Sequence, residues 1–426
     1  MISPHRPDRD DADPIVNSVA ILTFGLGSAL FPAIPNLVTP AAAVFVLALG
    51  AATVRRAGWS GLQPEDPVLT ALLVAFLAWA TASILWSISP ERSISRAINL
   101  LPIIFLVLVM LSRGAGDLLR ASAPAIMWSI LAGAGVSMVF MVVDILSGMD
   151  LSMAIAGGLY GGAERITADY NRGLSFVLGF CVVAIIWFKL NGYTFVAAAL
   201  FGLALLSVAL SESHAAKLAT ILAIIGIILA SWKGRVGPFV LTTGFVIVAL
   251  AQPFLWAYGA ERLSVDIPFL PSGMAAEARI EIWDYVAVAV LERPWLGWGL
   301  DTTRLLPTFA ERQPAFQVMD GISTHAHNNA LELWSNLGIV GLMVGVAILG
   351  RTAWLVVATV CHTLQSMATG VMAWLFTISF VAYGLWQTTW LAAIVLTIAV
   401  FNAASLHEYS RGARQADKIA YGENLT

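Results

Sequence analysis

Two histidines stand two residues apart in THAHNNALELWSNLGIVG, residues 324–341, although the whole chain of 426 residues holds six. Of the asparagines behind them, Asn328 or Asn329 is the expected N-cap. The apolar positions that follow, Leu331, Trp334, Leu337 and Ile339, predict a helix. A histidine at the mouth of a helix faces the positive end of its dipole, which favours the neutral ring. A neutral imidazole can accept a proton, so His327 or His325 is a candidate general base at neutral pH. His327 is the choice for chemistry and His325 for its support. Asn328 counts among the binding candidates, and Glu332 can orient a ring or accept from a hydroxyl. A competing possibility is a metal held by the H-x-H pair with Asp320 or Asp301. No HExxH or CxxC accompanies it, and no metal is expected.

A second set of residues carries positive charge suited to anions. The guanidinium is a planar fork that binds phosphate in two places and stays charged at any physiological pH. Arg172, in ADYNRGLSFVLGF, sits where the chain enters an apolar run, and a charge there is by default a functional candidate. Arg279 lies on the amphipathic stretch EARIEIW beside acidic neighbours. Arg92, Arg96, Arg165 and Arg262 are weighed evenly against simple ion pairing, and Arg165 and Arg262 join the binding candidates. The stretch SESHAAKLAT adds His214 and Lys217 at the head of another run. No phosphate-binding glycine loop and no Ser-His-Asp signature is visible.

The elements that position these residues follow from composition. Hydrophobic residues are 59% of the chain and charged residues 12%, against about 25% charged in a soluble domain. Mean hydropathy is +0.82. The expectation is an all-α polytopic membrane protein. Runs of about 20 apolar residues divide it into a tail at 1–14, nine spans within 15–258, a polar interval at 259–329, three more spans within 330–404, and a tail at 405–426. That is about twelve helices. The N-terminal MISPHRPDRDDADP lacks the basic region of a signal peptide, so the first span is expected to remain in place. Cys181 and Cys361 have no metal or disulfide spacing. A net charge of −3 gives no footprint for nucleic acid.

Lysine and arginine placement predicts the orientation. With both termini cytoplasmic, Arg55, Arg56, Arg113, Lys189, Lys233 and Arg235 fall in cytoplasmic loops. The opposite side then receives the 259–329 interval and all the arginines of the second set. Within that interval a partly buried helix is predicted at about 275–292, broken by RPWLGWG. Trp295 and Trp298 have the amphipathic character of a membrane interface. Since ATP is absent from the outer face, a reaction there needs a substrate that brings its own leaving group, such as a lipid-linked pyrophosphate.

With NRG at 171–173, ARIEIWDYVAVAVLERPWLGWGLDT at 278–302 and HAHNNALELWSNLGIVG at 325–341, the chain resembles the O-antigen ligase and polymerase superfamily of bacterial inner-membrane glycosyltransferases. The resemblance covers most of the chain. It implies a GT-C-like fold, a large structured periplasmic loop, an undecaprenyl-pyrophosphate-linked glycan as donor and a lipid A-core hydroxyl as acceptor, with membrane lipids around it and neither metal nor nucleotide as cofactor. It further implies that His327 is the catalytic histidine and that Arg172 and Arg279 hold pyrophosphate. Where many members carry Ser-Arg, Ser213 is followed here by His214, so either His214 or Lys217 replaces that charge or the position matters less in this branch. The expected function is O-antigen ligation. A polymerase of the same superfamily is the alternative, and a secondary transporter is a distant one, disfavoured by spans lacking central charge and an evident two-fold repeat.

Overall fold

The computed structural model describes residues 12–156, 163–263, 274–315, 319, 321–358 and 362–420. Within them every regular element is a helix, and a lone bridge joins Pro64 to Ser112. Ten of the described helices are long and apolar enough to cross a membrane. The other two apolar segments expected to span, Pro14–Leu30 and Thr194–Leu210, are shorter. At 1.5 Å per residue they reach about 26 Å, less than the ~30 Å of a hydrocarbon core. The last helix, Thr388–Ala420, runs past the 404 boundary drawn from hydropathy. Its final turns are polar but built of residues that sustain a helix.

The chain divides into two compact units. The first comprises residues 1–65, 106–217 and 392–426. Its central element is the 34-residue helix Arg113–Leu146, which buries a succession of small residues including Gly133, Ala134 and Ser137. Small side chains let membrane helices approach until their backbones touch. Phe24 anchors the core, edge-on to Phe45 and Phe180 at centroid distances of 5.1 and 5.7 Å. The glycine of the NRG motif belongs to this packing. A Cβ on Gly173 would stand 2.1 Å from the carbonyl oxygen of Phe31. Cys181 is buried as a packing residue, while Cys361 lies outside the described residues.

The second unit comprises residues 66–105 and 218–391. The helix expected at about 275–292 is observed as Met274–Glu292, and RPWLGWG ends it. This segment then docks on the 30-residue helix Asn329–Ala358, which breaks at Gly338 (φ 69°, ψ −174°). At the break the freed backbone groups pair with the docked segment. Ile339 N–H donates to the Pro294 carbonyl at 2.8 Å, Trp298 N–H to Ser335 at 2.8 Å, and Gly299 N–H to Asn336 at 2.9 Å. Gly338 is required twice over, by its positive φ and by the Trp295 carbonyl, which would lie 2.0 Å from an added Cβ.

Trp295 and Trp298 part company. Trp295 is exposed, but Trp298 is 6% exposed and donates its indole N–H to the Ala289 carbonyl at 2.8 Å. Arg293 caps the ring of Trp298 at 4.0 Å. Trp298 is therefore a core anchor, not an interfacial residue. It belongs to a cluster with Tyr285, Val286, Leu306, Ala326 and Leu331, which ties the loop helix to the residues just before Asn329.

Candidate active site

The helix Asn329–Ala358 begins as its sequence predicts. The Asn328 carbonyl accepts from Glu332 N–H at 2.9 Å, and its side-chain oxygen accepts from Leu331 N–H at 3.2 Å. With Asn328 buried and occupied as a cap, its side chain holds the helix mouth in place. Ala326 is fully buried, and its carbonyl accepts from the Trp283 indole at 2.9 Å. The two histidines on either side of Ala326 are thereby pinned to the loop helix.

The structure brings these two rings together, with centroids 4.1 Å apart and planes tilted by 48°. His327 adopts a left-handed backbone conformation, φ 50°, uncommon for a residue with a side chain and often found at functional positions. Its Nδ1 lies 2.8 Å from the Ala382 carbonyl oxygen. A carbonyl only accepts, so Nδ1 carries the proton, and in the neutral ring the lone pair resides on Nε2. His325 Nδ1 lies 2.8 Å from the Thr324 hydroxyl, and its Nε2 lies 3.2 Å from the Gln387 amide nitrogen.

Beside His325 is a polar cavity of about 90 Å³, lined among others by Arg96, Asp301, Arg304, Glu332 and Gln387. Glu332 is 1% exposed, and its Oε2 accepts from Leu385 N–H at 2.8 Å. Asp301 Oδ2 receives both Arg92 and Arg96 at 2.9 Å. Arg92 Nε also donates to the Asp301 carbonyl at 2.7 Å, and Arg96 donates to the Trp386 carbonyl at 3.0 Å. Arg92 and Arg96 thus take the ion-paired alternative. Asp301, weighed at first as a metal ligand, is instead the centre of this clamp. Among the described residues no three His, Cys, Asp or Glu side chains gather as a metal site would require, and Asp320 lies outside them.

Arg279 stands on the loop helix, half-buried. Burial holds its guanidinium below its ordinary pKa. The acidic neighbours do not neutralise it. Glu281 accepts from the backbone of Met319 at 2.8 Å, and Arg279 forms no hydrogen bond or ion pair among the described residues. Arg312, by contrast, is locked to Asp284 in a bidentate pair at 2.6 and 2.7 Å.

Four of the remaining candidates lie in the first unit. Arg172 is exposed and 3.4 Å from Asp169, one turn earlier on its helix, and Arg165 is exposed near the start of the same helix. His214 is exposed at the first position of the helix His214–Lys233, where Ser213 caps Ala216 N–H at 3.2 Å, and Lys217 is half-buried. The Arg262 side chain lies outside the described residues. Sequence reasoning missed Gly384, Trp386 and Gln387, which line the cavity. They sit in a short connection between two helices, some sixty residues beyond the histidines, with no motif to mark them.

A many-helix membrane chain with a histidine pair and cationic residues at a helix mouth defines the class as a polytopic membrane protein with a polar site at a helix end. Residues 199–346 match the family model described as O-antigen ligase. The match takes in the HAHNN and ARIEIW motifs and stops short of NRG. Curated relatives agree. A putative polysaccharide ligase of Rickettsia prowazekii is 23% identical over 223 residues, covering 52% of this chain and 55% of that protein. One of Rickettsia typhi is 23% identical over 212 residues, covering 49% and 52%. The chain thus spans about half the length of these relatives. Residues 199–346 carry the likeness to O-antigen ligases, and the relatives support the same superfamily.

Proposed function

We propose that this protein is an O-antigen ligase-type glycosyltransferase, transferring a glycan from undecaprenyl pyrophosphate to a sugar hydroxyl of lipid A-core. The reading places it in the bacterial inner membrane with both termini cytoplasmic and the 259–329 region and histidine pair facing the periplasm. The observation that carries it is the contact of His327 Nδ1 with the Ala382 carbonyl, which leaves Nε2 as the basic nitrogen.

In this mechanism His327 Nε2 takes the proton of the acceptor hydroxyl. The oxygen attacks the anomeric carbon from the face opposite the diphosphate, and the new C–O bond forms as the old one breaks. The bonding pair departs with the diphosphate, and the anomeric configuration inverts. Arg279 supports the leaving group as a half-buried cation without a protein counter-ion among the described residues, and Arg172 is assigned the same task from the motif. The guanidiniums stabilise the charge that develops on the two phosphates, a task a metal ion would otherwise perform. His325 and Glu332 hold the acceptor side.

Purified protein supplied with lipid-linked donor and lipid A-core tests the reading. Transfer in the presence of chelator, abolished by His327→Ala in a folded, membrane-inserted protein, supports it. Wild-type rates from that variant would overturn it. The same residues serve a polymerase, whose acceptor is a second lipid-linked glycan. A deletion strain separates the two. Loss of all polymer on lipid A marks a ligase, and attachment of single repeats marks a polymerase.

A further inference from the structure

The cavity beside His325 is lined by two guanidiniums, Arg96 and Arg304, and two carboxylates, Asp301 and Glu332. Arg92, which is not among the lining residues, shares Asp301 with Arg96, so this group of five side chains holds three guanidiniums against two carboxylates. Arg304 is the odd member. It lines the cavity from the short helix Thr303–Leu305, its Nε is buried, and it has no hydrogen bond or ion pair among the described residues. It also faces repulsion from Arg92. A buried guanidinium nitrogen without an acceptor is costly, and a native structure that retains one calls for an explanation.

Arg312, eight residues further on, shows what a structural arginine does here, since it takes a bidentate carboxylate. Arg304 has the same fork and a cavity in front of it instead. The lining also offers the Gln387 amide, close to His325. Charge, fork and neutral donor together suit a small oxyanion. The volume of about 90 Å³ exceeds what one water needs but is small beside ligand pockets, typically of about 300–1,000 Å³. It therefore suits a single anionic substituent, not a glycosyl diphosphate.

We propose that Arg304, with Gln387, forms a subsite for an anionic substituent, a carboxylate or a phosphate, on the acceptor glycan. The assignment to the acceptor rests on the ligase reading above. The cavity wall carries His325, whose ring is 4.1 Å from that of His327, and the base acts on the acceptor's hydroxyl. The subsite would select acceptors whose core sugars are acidic or phosphorylated and would set the sugar's orientation toward His327.

Calorimetric titration of the full-length protein in lipid nanodiscs tests this without any donor. The probes are glucose 6-phosphate, glucuronate and glucose. The expected result is that at least one anionic sugar binds tenfold or more tightly than glucose, the preferred acid telling phosphate from carboxylate. Arg304→Gln should weaken that binding at least tenfold and leave glucose unaffected, while Arg304→Lys retains part of it. If Arg304→Gln melts early, Gln387→Ala should produce the smaller loss expected of a neutral donor. Equal affinity for charged and neutral sugars, or anionic binding unchanged in the variants, would overturn the proposal. Such a failure leaves the His327 mechanism standing. Conversely, a His327→Ala enzyme that still ligates removes that mechanism without touching the titration result.

Discussion

His327 Nδ1 and the carbonyl oxygen of Ala382 are 2.8 Å apart, and this one contact decides which ring nitrogen can act as a base. It also explains why a residue 55 positions further along the chain matters to a motif of five. The helix that ends at Val381 delivers the carbonyl, and the loop before Asn329 delivers the ring.

Replacing His327 by alanine should reduce ligation by about 10²–10⁴-fold, the range for a positioned general base. His327→Gln should be similarly impaired, because its amide can keep the Ala382 contact without accepting a proton. His325→Ala should act mainly on the KM for acceptor. Initial rates at varied donor and acceptor concentrations separate the two effects.

Arg279→Gln should lower kcat with little change in folding, because the side chain has no protein partner to lose among the described residues. A buried cation that contributed only to packing would give a normal rate. Arg279→Lys tests the fork, since a lysine restores charge but not bidentate geometry, and only partial recovery is expected in a single-turnover measurement.

Gly338→Ala should be among the most disruptive single changes in the second unit. A left-handed φ with a side chain costs about 1–3 kcal/mol, and the Trp295 carbonyl adds a steric clash with the new Cβ. The RPWLGWG segment would be expelled from its seat, lowering the melting temperature and activity together. Protease sensitivity near residue 295 reports the release.

Asp66 caps the helix Pro67–Ala82 through Leu69 N–H at 2.7 Å and binds Arg351 at 2.5 and 3.2 Å. The Arg351 guanidinium holds the carboxyl pKa below its usual value. The folded pKa is thus lower than the unfolded one of about 3.9. The pair therefore stabilises the fold above that pH and loses its contribution as the pH falls through it toward the folded value. Asp66→Asn should lower the melting temperature at pH 7 and converge on wild type near pH 3, as thermal melts across that range would show.

Much of the architecture was legible in the sequence because its causes are local. Apolar runs of membrane length, an asparagine cap before Leu331 and a proline–glycine break after Glu292 each act within a turn or two. The pairing of His325 with His327 is local for the same reason, since two residues of loop cannot separate the rings far. Gly338 was hidden by that same locality, because its neighbours spell an unbroken helix and only the returning Trp295 backbone demands a break.

What only the tertiary structure decided are relationships between distant segments, where residue type does not name the partner. Trp298 reads equally well as an interfacial or a core residue until Ala289 is found to accept its N–H. Asp301 reads as a possible metal ligand until Arg92 and Arg96 arrive from two hundred residues away. Gln387 carries no motif at all. The sequence by itself determined a membrane protein of many helices with a histidine pair at a helix mouth. The fold decided which nitrogen is basic, which arginines are spent on structure, and that Arg304 was left facing a cavity, since burial and hydrogen-bond partners are properties of the packed chain.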